Sequence, residues 1–261
     1  MDIKILIAMH KSYTVPKDSI YLPLHVGKLG KPNLGLLGDD SGDNISAKNP
    51  YFCELTGIYW AWKNLAADYV GLCHYRRHFT LSKKHPKEEQ SKFDVLLTTQ
   101  QAKALLQEND IILPKKRKYY IETLYKHYAH TLHVEPLNET EKIIEEKYPK
   151  YLYEFKRLNK RTSAHMFNMF IMKKEYFDAY CEWLFDILFE LENRFDPAQY
   201  DSFHARYLGR VSELLLDVWI NTNKLSYKEI PFIEMQGVNL FKKATAFLEA
   251  KFIGKKYDKS F

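Results

Sequence analysis

Two histidines and two adjacent arginines close the run Asp68-Tyr69-Val70-Gly71-Leu72-Cys73-His74-Tyr75-Arg76-Arg77-His78-Phe79. The stretch ahead of them is apolar and patterned as a strand buried on both faces, as in parallel sheets. Open α/β sheets bind ligands at the C-terminal ends of their strands. Paired guanidiniums match phosphate oxygens in a bidentate geometry. His74, Arg76 and Arg77 therefore imply a phosphorylated ligand, in the first place a nucleoside diphosphate. Alternation along a strand sends His74 and Arg76 to one side and Tyr75 and Arg77 to the other. If the strand stops near Tyr75, both arginines can turn toward one ligand. A basic strand end paired with surface acids is the structural alternative.

Other residues could join such a site. His10 and Lys11 follow an N-terminal apolar run, a second strand end. The turn-rich loop 38–46 is dense in acceptors, and Asp40, Asp43 and Asn44 suit a ribose, a base edge or a cation. It lacks the ligand spacing and closing Glu of an EF-hand. His127, His130 and His133 lie three apart, and a helix would rotate the last well away from the first. That is not the HExxH zinc arrangement, so they read as lining a polar cleft, a place for an acceptor. Arg210 and Glu213 open an apolar helix three residues apart. They make either an ion pair or a carboxylate placed to deprotonate an acceptor hydroxyl. Asp201 is the second candidate for that base.

The elements that must position these residues alternate. Strands are expected over 3–9, 68–75, 94–97, 110–114 and 167–172. Helices are expected over 51–64, from Thr98 or Thr99 to Gln107, over 139–158, over 176–192 and from about Ser212. In the first helix Leu55, Ile58, Tyr59 and Trp62 form one buried stripe, with Trp60 and Lys63 off it. The alternation predicts an α/β fold with a mostly parallel sheet flanked by helices and a more helical C-terminal half. Residues 12–50 read as a long functional connection with short structured pieces. Without repeats or low-complexity linkers, one domain over 1–261 is expected, with a nucleotide-binding half (1–114) and an acceptor half (115–261).

Composition narrows the function. The net charge of +6 suits anionic partners, but the basic clusters are scattered and no nucleic-acid motif is present, so nucleic acid is not an expected partner. Three cysteines without a CxxC spacing point to a reducing cytoplasm. The first nine residues are too short and too charged for a signal peptide. Segment 241–261 mixes Lys with Phe, Ile and Leu, as either a plain surface helix or a peripheral contact with an anionic membrane face. The absence of GxGxxG, GxxxxGK[ST], GxSxG and kinase signatures removes support for dinucleotide redox, P-loop and α/β-hydrolase chemistry.

The segments ELTGIYWAWKN (54–64), GLCHYRR (71–77), SGDNIS (41–46), Asn49, NMFIM (168–172), YCEWLF (180–185) and RVSE (210–213) resemble a bacterial capsular and exopolysaccharide glycosyltransferase family, long catalogued as a domain of unknown function. The resemblance spans nearly the whole chain. It implies a GT-A-like fold and transfer of a sugar from a UDP-sugar donor to a growing capsular, exopolysaccharide or O-antigen glycan, free or lipid-linked. Some members look like galactofuranosyltransferases, which makes UDP-galactofuranose a candidate donor. With that activity, His10, Lys11, Asp40, Asp43, Asn44, His74, Arg76 and Arg77 become donor contacts. His127, His130, Asn168 and Arg210 become acceptor contacts, and Glu213 or Asp201 the catalytic base of an inverting reaction. Where GT-A enzymes usually carry a metal-holding Asp-x-Asp, this chain has His74-Tyr75-Arg76-Arg77. No metal ligand and no required cofactor are therefore expected, with divalent manganese or magnesium the open alternative. A non-catalytic module binding nucleotides or phosphorylated sugars is the competing function.

Overall fold

The computed structural model describes residues 1–84 and 86–236. The basic segment 241–261 lies outside the described residues. The strands are β1 (Ile3–Met9), β2 (Tyr21–His25), β3 (Leu37–Gly38), β4 (Tyr69–His74), β5 (Arg77–Phe79), β6 (Ile111–Pro114), β7 (Arg117–Lys118), β8 (Ser163–Ala164), β9 (Phe170–Lys173), β10 (Lys228–Ile230) and β11 (Phe232–Glu234). The helices are α1 (Asn49–Phe52), α2 (Leu55–Asn64), α3 (Glu89–Phe93), α4 (Thr99–Leu106), α5 (Leu124–Thr131), α6 (Glu135–Lys147), α7 (Pro149–Asn159), α8 (Lys174–Arg194) and α9 (Tyr207–Thr222).

The main sheet runs β10-β6-β9-β4-β1-β2-β3. β9 is antiparallel to both of its neighbours, and the other six strands share one direction. The expected mostly parallel α/β sheet is therefore present, completed by strands from the second half of the chain. Alternation along β1 feeds two cores. Leu6 and Ala8 face a layer with α2, α8 and α9, while Ile5, Ile7 and Met9 face the side of α4. A strand buried on both faces explains the apolar run in β4, which ends at the pocket-facing His74. Gly71 is required there: a Cβ would sit 2.8 Å from the Phe170 carbonyl oxygen of β9.

Several expected elements differ. The helix over 51–64 is two helices, because Cys53 takes φ 54°, a left-handed conformation that ends α1. The Asn49 side-chain amide donates to the Cys53 carbonyl at 2.7 Å and holds the break. Within α2, Trp60 is buried and donates its indole N–H to Ser41 Oγ at 3.0 Å, whereas Tyr59 and Trp62 are half-buried. Segment 94–97 is not a strand. It continues from α3 as turns, and Leu96 makes a single bridge to Thr80. Burial of Leu96 and Leu97 gives this segment its strand-like composition. The helix over 139–158 is split at Tyr148-Pro149, since proline disfavours helical backbone in the residue before it and suits the first helical position. α9 starts at Tyr207, earlier than Ser212, and so carries both Arg210 and Glu213 in its first two turns. α4 begins as expected, with Thr98 in a reciprocal cap with Gln101. Among the described residues no helix is long and apolar enough to cross a membrane.

β4 and β5 form a tight hairpin with His74 opposite Arg77. β5 then buries His78 beneath the sheet. Burial pushes the His78 imidazole down from 6.5 to about 4. The unfolded chain therefore takes up this proton near pH 6.5, while the folded chain refuses it until about pH 4. Stability is thus full above the unfolded value and falls as pH drops toward the folded one. At pH 5 this residue should cost about 2 kcal/mol relative to pH 7. Urea unfolding at the two pH values tests this, and His78→Gln should flatten the dependence.

Candidate functional site

A cavity of about 240 Å³ opens at the C-terminal end of β4. The β4–β5 turn supplies one part of the lining, the start of α9 another, and α5 with the segment following β7 a third. Five guanidiniums (Arg76, Arg77, Arg117, Arg206 and Arg210) line it together with two carboxylates, Glu54 and Glu213. Such an excess of fixed cations in a half-closed space favours anions.

The β4–β5 wall follows from the hairpin. Tyr75 turns away into the core, against the rings of His10 and Tyr13. His74, Arg76 and Arg77 all line the cavity. Burial, then the charges of Arg76 and Arg77, hold the His74 imidazole well below the usual histidine range, so it enters as a neutral hydrogen-bonding group. Among the described residues its Nδ1 and the Arg76 Nε are buried without a hydrogen-bond partner. Arg77 is tied down: its Nε donates to Glu234 of β11 at 2.7 Å, and its guanidinium lies 4.1 Å over the Phe167 ring.

The α9 wall carries a carboxylate, Glu213. Glu213 Oε2 accepts the Phe167 N–H at 3.0 Å. Phe167 and Asn168 both adopt positive φ (73° and 52°), a turn that aims this N–H at the carboxylate. Burial, then the nearby Glu54 charge, raises the Glu213 pKa above 4.5, with the Phe167 N–H, Arg117 and Arg77 opposing. Asn168 is buried and donates to Glu54 Oε1 at 2.9 Å, and Glu54 stands at the cavity because the chain breaks at Cys53. Arg210 lies 3.9 Å over the Phe203 ring. The hydroxyl of buried Tyr128 has no hydrogen-bond partner among the described residues.

The remaining sequence candidates scatter. His127 lines the cavity, with its ring 4.3 Å from that of Tyr119. His130 does not line it and bonds Glu122 at 2.8 Å. Asp201 is exposed and bonded to His204 at 2.6 Å, which lowers its carboxyl to about 2. His10 and Lys11 are exposed at the end of β1, beside Tyr75. Asp40 pairs with Lys28 at 3.4 Å. Asp43 is bound to Tyr59 and Asn64 of α2, and Asn44 accepts the Ser46 N–H. Sequence reasoning missed Glu54, Arg117, Tyr128 and Arg206. Arg117 stands in a lysine-rich run that reads as solvated surface, and Glu54 inside an apparent continuous helix.

The loop 38–46 is organised by Asp39, which is fully buried and accepts from the Gly27 and Lys28 amides at 2.7 and 3.1 Å and from Ser46 and Thr56 hydroxyls at 2.5 Å each. Its lone pairs are consumed within the fold. Among the described residues no group of three or more His, Cys, Asp or Glu side chains gathers as a metal site. The carboxylates of the cavity stand among five guanidiniums, a setting poorly suited to a divalent cation.

A family model described as a domain of unknown function, DUF4422, matches residues 4–224. The chain belongs to this family. The chain covers 46% of a similar solved protein, the bifunctional glycosyltransferase WbbM in its apo form. That structure matches 91% of this chain at 34% identity with a TM-score of 0.83, so the two share the mixed α/β fold. The chain thus spans less than half the length of that protein. No curated protein matches the chain.

Asp39→Ala would strand several buried donors of the loop and of α2. It should cost at least about 3 kcal/mol in urea unfolding.

Proposed function

We propose that this DUF4422 chain is a glycosyltransferase that moves a sugar from a nucleotide-sugar donor to a glycan hydroxyl. The observation that carries this reading is the cavity itself: polar atoms of His74 and Arg76 on the β4–β5 turn, without a hydrogen-bond partner among the described residues, line the same space as the half-buried Glu213 carboxylate of α9, whose pKa is raised. Similarity to the WbbM glycosyltransferase supports it. A UDP-sugar is the proposed donor, with galactofuranose the candidate sugar. A capsular, exopolysaccharide or O-antigen glycan, free or lipid-linked, is the proposed acceptor, in a GT-A-like arrangement at the cytoplasmic face of the membrane. Residues 1–114 supply most of the donor side, with His10, Lys11, Asp40, Asp43 and Asn44 toward the nucleoside. Residues from 115 onward shape the acceptor side, with His127 and Arg210 on the cavity wall and His130 and Asn168 set back from it as the weaker acceptor candidates.

The chemistry assigned to these groups is an inverting displacement. Glu213 takes the proton of the acceptor hydroxyl, and its oxygen attacks the anomeric carbon as the bond to the diphosphate breaks. Arg76, assisted by Arg77 and by hydrogen bonding from His74, stabilises the charge that develops on the leaving diphosphate. Fixed guanidiniums take the part that a divalent metal plays elsewhere. Asp201 is the second-choice base, and its lowered pKa and exposed position make it the weaker one.

Glu213→Gln should lower kcat by about 10²–10⁴ while leaving Tm equal or higher, because a desolvated carboxylate costs stability. The acid limb of the wild-type kcat/KM profile should lie above pH 4.5, since raising the pKa of a base moves its loss of function to higher pH. Equal activity of Glu213→Gln and wild type would overturn the base assignment. UDP binding without turnover of any UDP-sugar would favour a binding module. Turnover should also survive EDTA; activity abolished by chelation and restored by manganese would refute the guanidinium clamp.

A further inference from the structure

We infer that Arg206 is the second jaw of the diphosphate clamp, entering from the start of α9 the cavity that Arg76 also lines, and aimed by the sulfur of Cys53. The inference rests on the donor assignment above and adds a residue and a positioning contact to it.

Arg206 sits where the turn after α8 enters α9, and it lines the cavity. Its Nε–H donates to Cys53 Sγ at 3.1 Å, and among the described residues no carboxylate forms an ion pair with it. Burial pushes the Cys53 thiol pKa up, so the sulfur is a neutral acceptor that steers the guanidinium without neutralising it. An arginine held through Nε keeps its two terminal nitrogens for a bidentate grip on phosphate oxygens. Cys53 packs closely against α9: a Cβ on Gly209 would stand only 3.2 Å from Sγ, and the Cys53 backbone turns with a positive φ of 54°.

The two jaws flank one place. His10, at the end of β1, feels the charges of both Arg76 and Arg206. The charge balance agrees with a doubly charged guest. Of the five cavity guanidiniums, Arg77 is paired with Glu234, and two carboxylates, Glu54 and Glu213, line the same space. The remaining excess matches a diphosphate. The rival explanation makes Arg206 a structural counter-ion for Glu54 and Glu213. It predicts no discrimination between one phosphate and two.

Calorimetric titration of the full chain with UDP and with UMP separates these. Arg206→Gln should weaken UDP about 10- to 100-fold, the loss of a charged hydrogen-bonded contact, and weaken UMP far less. Arg206→Lys, which keeps the charge and loses the fork, should fall between. Cys53→Ser, which keeps an acceptor for the Arg206 Nε–H, should bind UDP much as wild type does, whereas Cys53→Ala, which removes it, should lose affinity for UDP severalfold and none for UMP. A UDP-to-UMP preference unchanged in both Arg206 variants overturns the inference. If Arg76→Gln loses UDP while the Arg206 variants do not, the clamp is one-sided and the donor assignment stands. If neither position affects UDP, the donor assignment falls as well. Should Arg206→Gln fail to fold, the UDP-to-UMP ratio of Arg206→Lys decides alone.

Discussion

A single backbone reversal organises the cavity. At Cys53 the chain leaves α1 in a left-handed conformation before α2 begins. Continued helix would carry Glu54 and the Cys53 sulfur to other positions. Instead, Glu54 meets Asn168, the sulfur meets Arg206, and the backbone packs on Gly209. A positive φ in a non-glycine residue costs on the order of 1 kcal/mol. The Asn49 amide and the packing of α9 hold it in place.

Around that reversal the cavity gathers charges that oppose folding. Guanidiniums crowd together, Glu213 is desolvated, and His74 is kept neutral by its surroundings. Each of these groups would be better solvated in an unfolded chain. The two cores, one on either face of the sheet, supply the stability that tolerates them. A guest with two negative charges would relieve the repulsion, which is the part the proposed function gives to a diphosphate.

Much of this was legible in the sequence where the signal is local. The buried run of β4 and its basic end, the helix carrying Arg210 and Glu213, and the cap at Thr98 all follow from spacing and composition. Their meeting in one cavity does not, since it depends on how α9 lies against α1. The periodic stripe of α2 runs smoothly past Cys53, and periodicity is blind to one residue changing its φ. Burial misleads at Leu96 and Leu97, which are buried in turns and so look like strand. Arg117 differs from its lysine neighbours only in what it faces.

The antiparallel pairing of β5 with β11 extends the folding unit past the end of the family match. Family similarity ends at residue 224, yet Glu234, which steadies Arg77, lies beyond it, as do β10 and β11. Trimming the polypeptide to the matched segment would bare the edges of β5 and β6 and release a cation into the cavity. Unpaired strand edges invite association between molecules. For this chain, the similarity boundary is therefore an unsafe place to cut.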